Sequence, residues 1–254
     1  MDRSNGGFGM DRWEFRKRFD SRHAVVMPVI HVLDIDQTIK NVEIANSGNC
    51  PGVFLINHDF GINEFLPIIT AARQSYPDYW MGINFLAVTG LEAFPVIANL
   101  EKHGCQIDAY WADDARIDEV SPVGDQIEAA AILDIKRKLG WSGLYFGGTA
   151  FKKQRKVAPQ NYGKSASIAR EFMDVVTTSG VATGRAADTD KIRVFREACG
   201  DKPIALASGI TPENVDAYAE DVDCLMVATG INAEDDFYNI DPARLCELMN
   251  RLKR

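Results

Sequence analysis

Short apolar segments and helix-patterned segments alternate along this chain almost without a break, and that alternation limits the folds open to it. Strand-like runs occupy residues 28–33, 52–56, 80–86, 107–111, 143–146 and 173–177, and two more begin at Ile204 and Cys224. Helix-like stretches separate most of them, at residues 35–47, 62–75, 89–103, 125–139, 163–170 and 189–199, and a last one spans 242–252. The strands are apolar at consecutive positions, as expected where helices cover one face of a parallel sheet and a packed interior covers the other. Eight such units in 254 residues predict a closed (β/α)8 barrel, a TIM barrel, rather than an open doubly wound sheet. The predicted division is an N-terminal extension, residues 1–27, and a barrel, residues 28–254. Within the extension, Asn5-Gly6-Gly7 reads as flexible and residues 13–19 as a helix that closes the barrel floor or touches a partner chain. Thr211-Pro212 and Asp241-Pro242 read as helix starts, each pairing an N-cap residue with proline at the first helical position.

Composition narrows the function classes. A formal net charge of −8 argues against general nucleic-acid binding, which needs clustered basic charge. No apolar run reaches the length of a membrane span, and residues 1–22 lack a signal-peptide core, so a cytoplasmic location is expected. The five cysteines are scattered without a C-x-x-C pair, which argues against a zinc or redox site. Phosphate loops, nucleophile elbows, zincin helices and dinucleotide fingerprints are missing from the sequence, and no cofactor is expected.

Barrel chemistry sits on the loops that follow the strands. Strand seven runs into Ser208-Gly209 and strand eight into Thr229-Gly230. Two adjacent turns of a hydroxyl residue and a glycine can present backbone N–H groups to one anion, and a helix start after Ser208-Gly209 would add its dipole. The loop after strand six, Ser179-Gly180-Val181-Ala182-Thr183-Gly184-Arg185, is built to fold over a ligand, with Arg185 as a candidate anion fork. After strand five, Gly147-Gly148 precede the basic stretch Lys152-Lys153-Gln154-Arg155-Lys156, an expected electropositive lid in which Lys152 reaches inward. At the earlier strand ends, Asp34, His58 and Asn84 join Lys152 as candidate catalytic residues, since a carboxylate and an imidazole on neighbouring loops can serve as an acid–base pair. Asn84 is unusual strand material, so it marks a polar pocket or a buried hydrogen bond. Asp113 and Asp114 read first as turn caps. Together with His31 and His58 they would have to converge to make a metal site, and no metal is expected.

The linked stretches from Val176 to Gly184 and from Pro203 to Val215 resemble the BtpA family, named for a photosystem I biogenesis protein and assigned to the ribulose-phosphate-binding barrel group. Val29-Ile30-His31-Val32 and Gly82-Ile83-Asn84-Phe85-Leu86 resemble that family's first and third strands, and the likeness is densest after Val175. Asn57-His58-Asp59 and the basic stretch after strand five depart from it. The resemblance implies a barrel with a phosphate-type site on its last loops, and a homo-oligomer. The expected partner is a phosphate-bearing small molecule, a phosphorylated sugar or nucleoside-like compound, and not a nucleic acid or a membrane. Isomerisation, lyase cleavage and glycosyl or phosphoribosyl transfer all fit these residues. The alternative that the resemblance implies is a non-catalytic assembly or regulatory factor.

Overall fold

A computed structural model describes residues 10–152 and 154–252. Eight parallel strands close on themselves: β1 (Val25–Val32), β2 (Gly52–Asn57), β3 (Trp80–Asn84), β4 (Ala109–Ala112), β5 (Leu144–Gly148), β6 (Val175–Ser179), β7 (Ile204–Ala207) and β8 (Cys224–Val227). The ring closes where Val25–Pro28 of β1 pair with Cys224–Val227 of β8. Helices α1 (Arg12–Arg18), α2 (Ile35–Ser47), α3 (Ile62–Ser75), α4 (Gly90–Lys102), α5 (Ile127–Leu139), α6 (Tyr162–Ala169), α7 (Thr189–Cys199) and α8 (Pro242–Leu252) complete the (β/α)8 fold. None is long and apolar enough to cross a membrane, among the described residues.

Alternation along each strand builds two cores. Val25, Met27 and Val29 of β1 face inward with Phe54, Trp111, Phe146 and Met226, whereas Val26, Ile30 and Val32 pack under the helices. The inner core is aromatic: Phe54 meets Phe146 with ring centroids 5.1 Å apart and Trp80 at 5.4 Å, both edge to face.

The barrel floor is closed by α1. Asp11 caps it in a capping box with Glu14. Phe15 is fully buried in the inner core, 6.1 Å from Phe146. The helix is anchored by charge as well. Asp223, fully buried just before β8, meets Arg12 at 3.0 Å, Arg16 at 2.9 Å and Arg196 at 2.9 Å. Asn5-Gly6-Gly7 lies outside the described residues.

Two sequence expectations change. β1 begins at Val25 and not at Pro28, because a proline inside a strand was read as its first residue; Pro28 pairs with Val227 within the ladder. No α-helix follows β7 among the described residues, only a 3-10 turn at Val215–Ala217. Asn214 explains the difference: its side chain accepts from the Thr211 N–H at 2.9 Å and donates to the Gly209 carbonyl at 2.7 Å, giving the backbone a local alternative to the helix.

Candidate active site

The C-terminal mouth of the barrel holds a cleft. Its walls follow from the period of two along the strands. Val29, Ile56 and Trp111 face inward on β1, β2 and β4, and two residues further on His31, His58 and Asp113 line the same cleft. Lys152, Thr183, Gly184, Ser208, Gly209 and Thr229 complete the rim.

Residues of the turns after β7 and β8 therefore line one cavity. Among the described residues, the N–H groups of Gly209, Thr229 and Gly230 donate to no protein group. Ser208 has φ 106°, a strained value for a residue with a side chain, and its Oγ accepts from the Gly180 N–H at 3.2 Å. Gly209 lies at φ +67° directly beneath the β6–α7 loop: a Cβ there would sit 1.9 Å from the Arg185 carbonyl oxygen. Gly230 is covered in the same way, with the Ile210 carbonyl oxygen 1.8 Å from where its Cβ would be. Both glycines let backbone stack on backbone, so each loop is held on the next. The helix dipole expected behind Ser208-Gly209 is missing, since α8 begins only at Pro242 and β7 has no following α-helix. Loop amides, the Ser208 and Thr229 hydroxyls and the Lys152 cation are what this end of the cleft offers an anion.

Several expected site residues stand elsewhere. Asp34 caps α2, its Oδ1 accepting from the Gln37 N–H at 2.8 Å, and it does not line the cleft. Ser179 is fully buried; its Oγ donates to the Gly180 carbonyl at 2.8 Å and accepts from the Lys152 N–H at 2.7 Å, so its hydroxyl holds the β5 and β6 loops together. Gly180 and Gly230 support the rim from below without lining the cleft. The Arg185 side chain is exposed outside the cleft lining, and its backbone carbonyl is the part that rests on Gly209. From the basic stretch, only Lys152 lines the cleft among the described residues. Arg155 instead forks onto Glu119, holding that carboxyl below the usual range, and also donates to the Ile117 carbonyl. Lys153 lies outside the described residues.

Asn84 is fully buried behind the cleft, and its Nδ2 donates to Asp113 Oδ1 at 3.3 Å. Its Oδ1 finds no partner among the described residues, and buried unpaired acceptors are uncommon in native structures. The Asn84 amide thus holds one oxygen of the Asp113 carboxylate. Asp113 itself was read from sequence as a turn cap. The alternation Ala109, Trp111, Asp113 was the available signal, since it places Asp113 on the inward face. The neighbouring Asp114 does cap a turn, accepting from the Arg116 N–H at 2.8 Å. The four-residue metal set of His31, His58, Asp113 and Asp114 does not assemble: among the described residues, no group of three or more His, Cys, Asp or Glu side chains is arranged to hold an ion.

The histidine side is shaped by a segment that sequence reading passed over. Between β8 and α8, residues 232–240 form a strap closed by an antiparallel bridge between Asn232 and Ile240. The Tyr238 carbonyl accepts from Gln37 at 2.7 Å and Asn41 at 2.8 Å, and its hydroxyl donates to Asp59 at 2.7 Å. The strap presses Phe237 onto His31, with ring centroids 3.9 Å apart, while His58 stands edge-on 4.7 Å from His31. His31 Nδ1 lies 2.9 Å from the Phe237 carbonyl. A carbonyl only accepts, so Nδ1 carries the proton and the tautomer of the neutral ring is set.

Four of the five thiols are buried, and Cys246 is exposed. Burial pushes Cys50 and Cys199 up to about 12, and raises Cys105 and Cys224 as well.

Fold and cleft together define a (β/α)8 barrel with an open cleft at its C-terminal mouth. Among solved structures, the chain is similar to orotidine 5'-monophosphate decarboxylase from Methanocaldococcus jannaschii. The TM-score is 0.61 at 14% identity, covering 92% of this chain and 100% of that one. It is also similar to phosphoribosyl anthranilate isomerase from Thermus thermophilus, with a TM-score of 0.60 at 14% identity, covering 90% of this chain and 98% of that one. A structure named native KDPGal has a TM-score of 0.59 at 10% identity, covering 90% and 94%. At these identities the likeness establishes the barrel fold. No protein-family model matches the sequence, and no curated protein matches it.

Proposed function

We propose that this protein is an enzyme that binds a small phosphorylated sugar or nucleoside-like compound at the barrel mouth and moves a proton on it. The observation that carries the reading is convergence. Two adjacent turns, with unbonded amides at Gly209 and Thr229, open onto the cleft that also holds His31, His58, Asp113 and Lys152. The phosphate group rests on the Gly209 and Thr229 amides and the Ser208 and Thr229 hydroxyls, with Gly230 beneath them. Lys152 balances its charge, and Thr183 and Gly184 close over it. Asp113, aimed by Asn84, and His58, packed against the fixed His31 ring, are the acid–base pair. Isomerisation, lyase cleavage and glycosyl or phosphoribosyl transfer share a need for proton transfer beside an anchored anion. Two of the similar structures bear names that contain a phosphorylated compound, which agrees with this substrate class.

Thermal unfolding against inorganic phosphate and a panel of phosphometabolites tests the reading. A true ligand at 100 times its Kd stabilises by about 2.7 kcal/mol, a rise of roughly 5–10 °C in Tm for a chain of this size. A flat Tm across the panel would falsify it.

The BtpA resemblance supports a second proposal, a cytoplasmic homo-oligomer that serves as a non-catalytic assembly or regulatory factor. Trp13, 60% exposed on α1, is the observation in its favour, because it offers an aromatic contact surface on the barrel floor. Light scattering reads the oligomer. The variant Ser208→Asp, folded but unable to take phosphate, keeps its function under this second reading and loses it under the first.

A further inference from the structure

The cleft has two layers of opposite character. Its rim is polar, whereas Val29, Ile56, Trp111, Ala207 and Met226 form an apolar floor and Leu86 extends it up one wall. The floor residues are the top layer of the inner core, fixed by packing and not by loop conformation. The Trp111 side chain is 97% buried (3% exposed), and its indole N–H has no hydrogen-bond partner. Resting on the phosphate reading above, we infer that the rest of the substrate is a planar, largely apolar ring rather than a polyhydroxylated chain. With its phosphate fixed at the Gly209 and Thr229 turns, a ligand filling this cleft lays its body over carbon. A polyhydroxylated chain would leave hydroxyls facing Ile56, Leu86 and Met226, which supply no partner. A flat ring gives up only apolar surface there, and Trp111 offers it an edge or a face.

Isothermal titration with inorganic phosphate, phenyl phosphate and ribose 5-phosphate tests this on the full chain. Phenyl phosphate is expected to bind at least tenfold more tightly than ribose 5-phosphate; a smaller ratio, or the reverse order, overturns the inference while leaving the phosphate site standing. If none of the three binds, the phosphate reading fails and this inference falls with it. Leu86 is only partly buried, so Leu86→Ser should fold, and the ratio should drop at least threefold; an unchanged ratio removes the ring from this wall. Phenyl phosphate should change the tryptophan emission of the wild type and not of Trp111→Phe. A change that persists in the variant places the ring elsewhere.

Discussion

Replacing Gly209 by alanine probes the contact that seats the β6–α7 loop on the β7 turn. Two separable costs follow. At φ +67° an L-residue loses roughly 1 kcal/mol. The new Cβ would also lie 1.9 Å from the Arg185 oxygen, 2.1 Å from its carbonyl carbon and 2.4 Å from the Ala186 nitrogen. All three are backbone atoms, so the loop has to retreat by about 1 Å, at an overpacking cost of about 1–3 kcal/mol. Gly140→Ala isolates the first cost, because Gly140 has φ +66° and nothing within 4 Å of its would-be Cβ. Urea unfolding should therefore show Gly140→Ala down by about 1 kcal/mol and Gly209→Ala by about 2–4 kcal/mol. Calorimetry should show phosphate affinity lowered in Gly209→Ala alone, since the displaced loop carries Thr183 and Gly184 out of the cleft wall. Equal urea midpoints for the two variants, with phosphate binding intact in both, would refute the argument that backbone stacking builds the rim.

Asp223→Asn removes the negative charge that Arg12, Arg16 and Arg196 share, and leaves three guanidinium groups crowded at the floor. A loss of about 3–5 kcal/mol in urea unfolding is expected, with trypsin cutting within α1; an unchanged midpoint and a protected α1 would contradict it. Lys191 donates to the Ala150 and Ser179 carbonyls from a buried position, and burial lowers it to about 8. Between pH 8 and its ordinary value of 10.5 the unfolded chain holds a proton that the folded one has released, so stability attributable to Lys191 rises with pH, by at most about 1.4 kcal/mol per pH unit. The wild type should gain on Lys191→Met across that window in pH-dependent urea titrations; a gap that is flat or narrows with pH counts against it.

The strand and helix periods made the barrel legible, and helices such as α2, α3 and α7 begin and end where the pattern places them. The site was less legible for a physical reason: residue type does not state direction. Ser179 and Arg185 have ligand-binding chemistry, yet one spends its hydroxyl inside the loop scaffold and the other turns to solvent. Asp34 and Asp113 both follow strands, but one caps a helix and the other faces the cleft; strand alternation separates them once the strand bounds are known. The Phe237 strap carries no local motif, because its place depends on Gln37, Asn41 and Asp59, which lie about two hundred residues away in sequence.

Helix α1 precedes every barrel strand in sequence, but its seat is built last. Its backbone reaches Asp201, and Arg12 and Arg16 reach Asp223, the residue before β8, so neither anchor exists until most of the barrel has left the ribosome. Until then Phe15 has no barrel to plug, and the emerging polypeptide carries an uncovered aromatic helix, a target for chaperones or for a neighbouring copy. Sealing the bottom of the cylinder is thus a late checkpoint in synthesis, reached when α1 and the segment before β8 are present together.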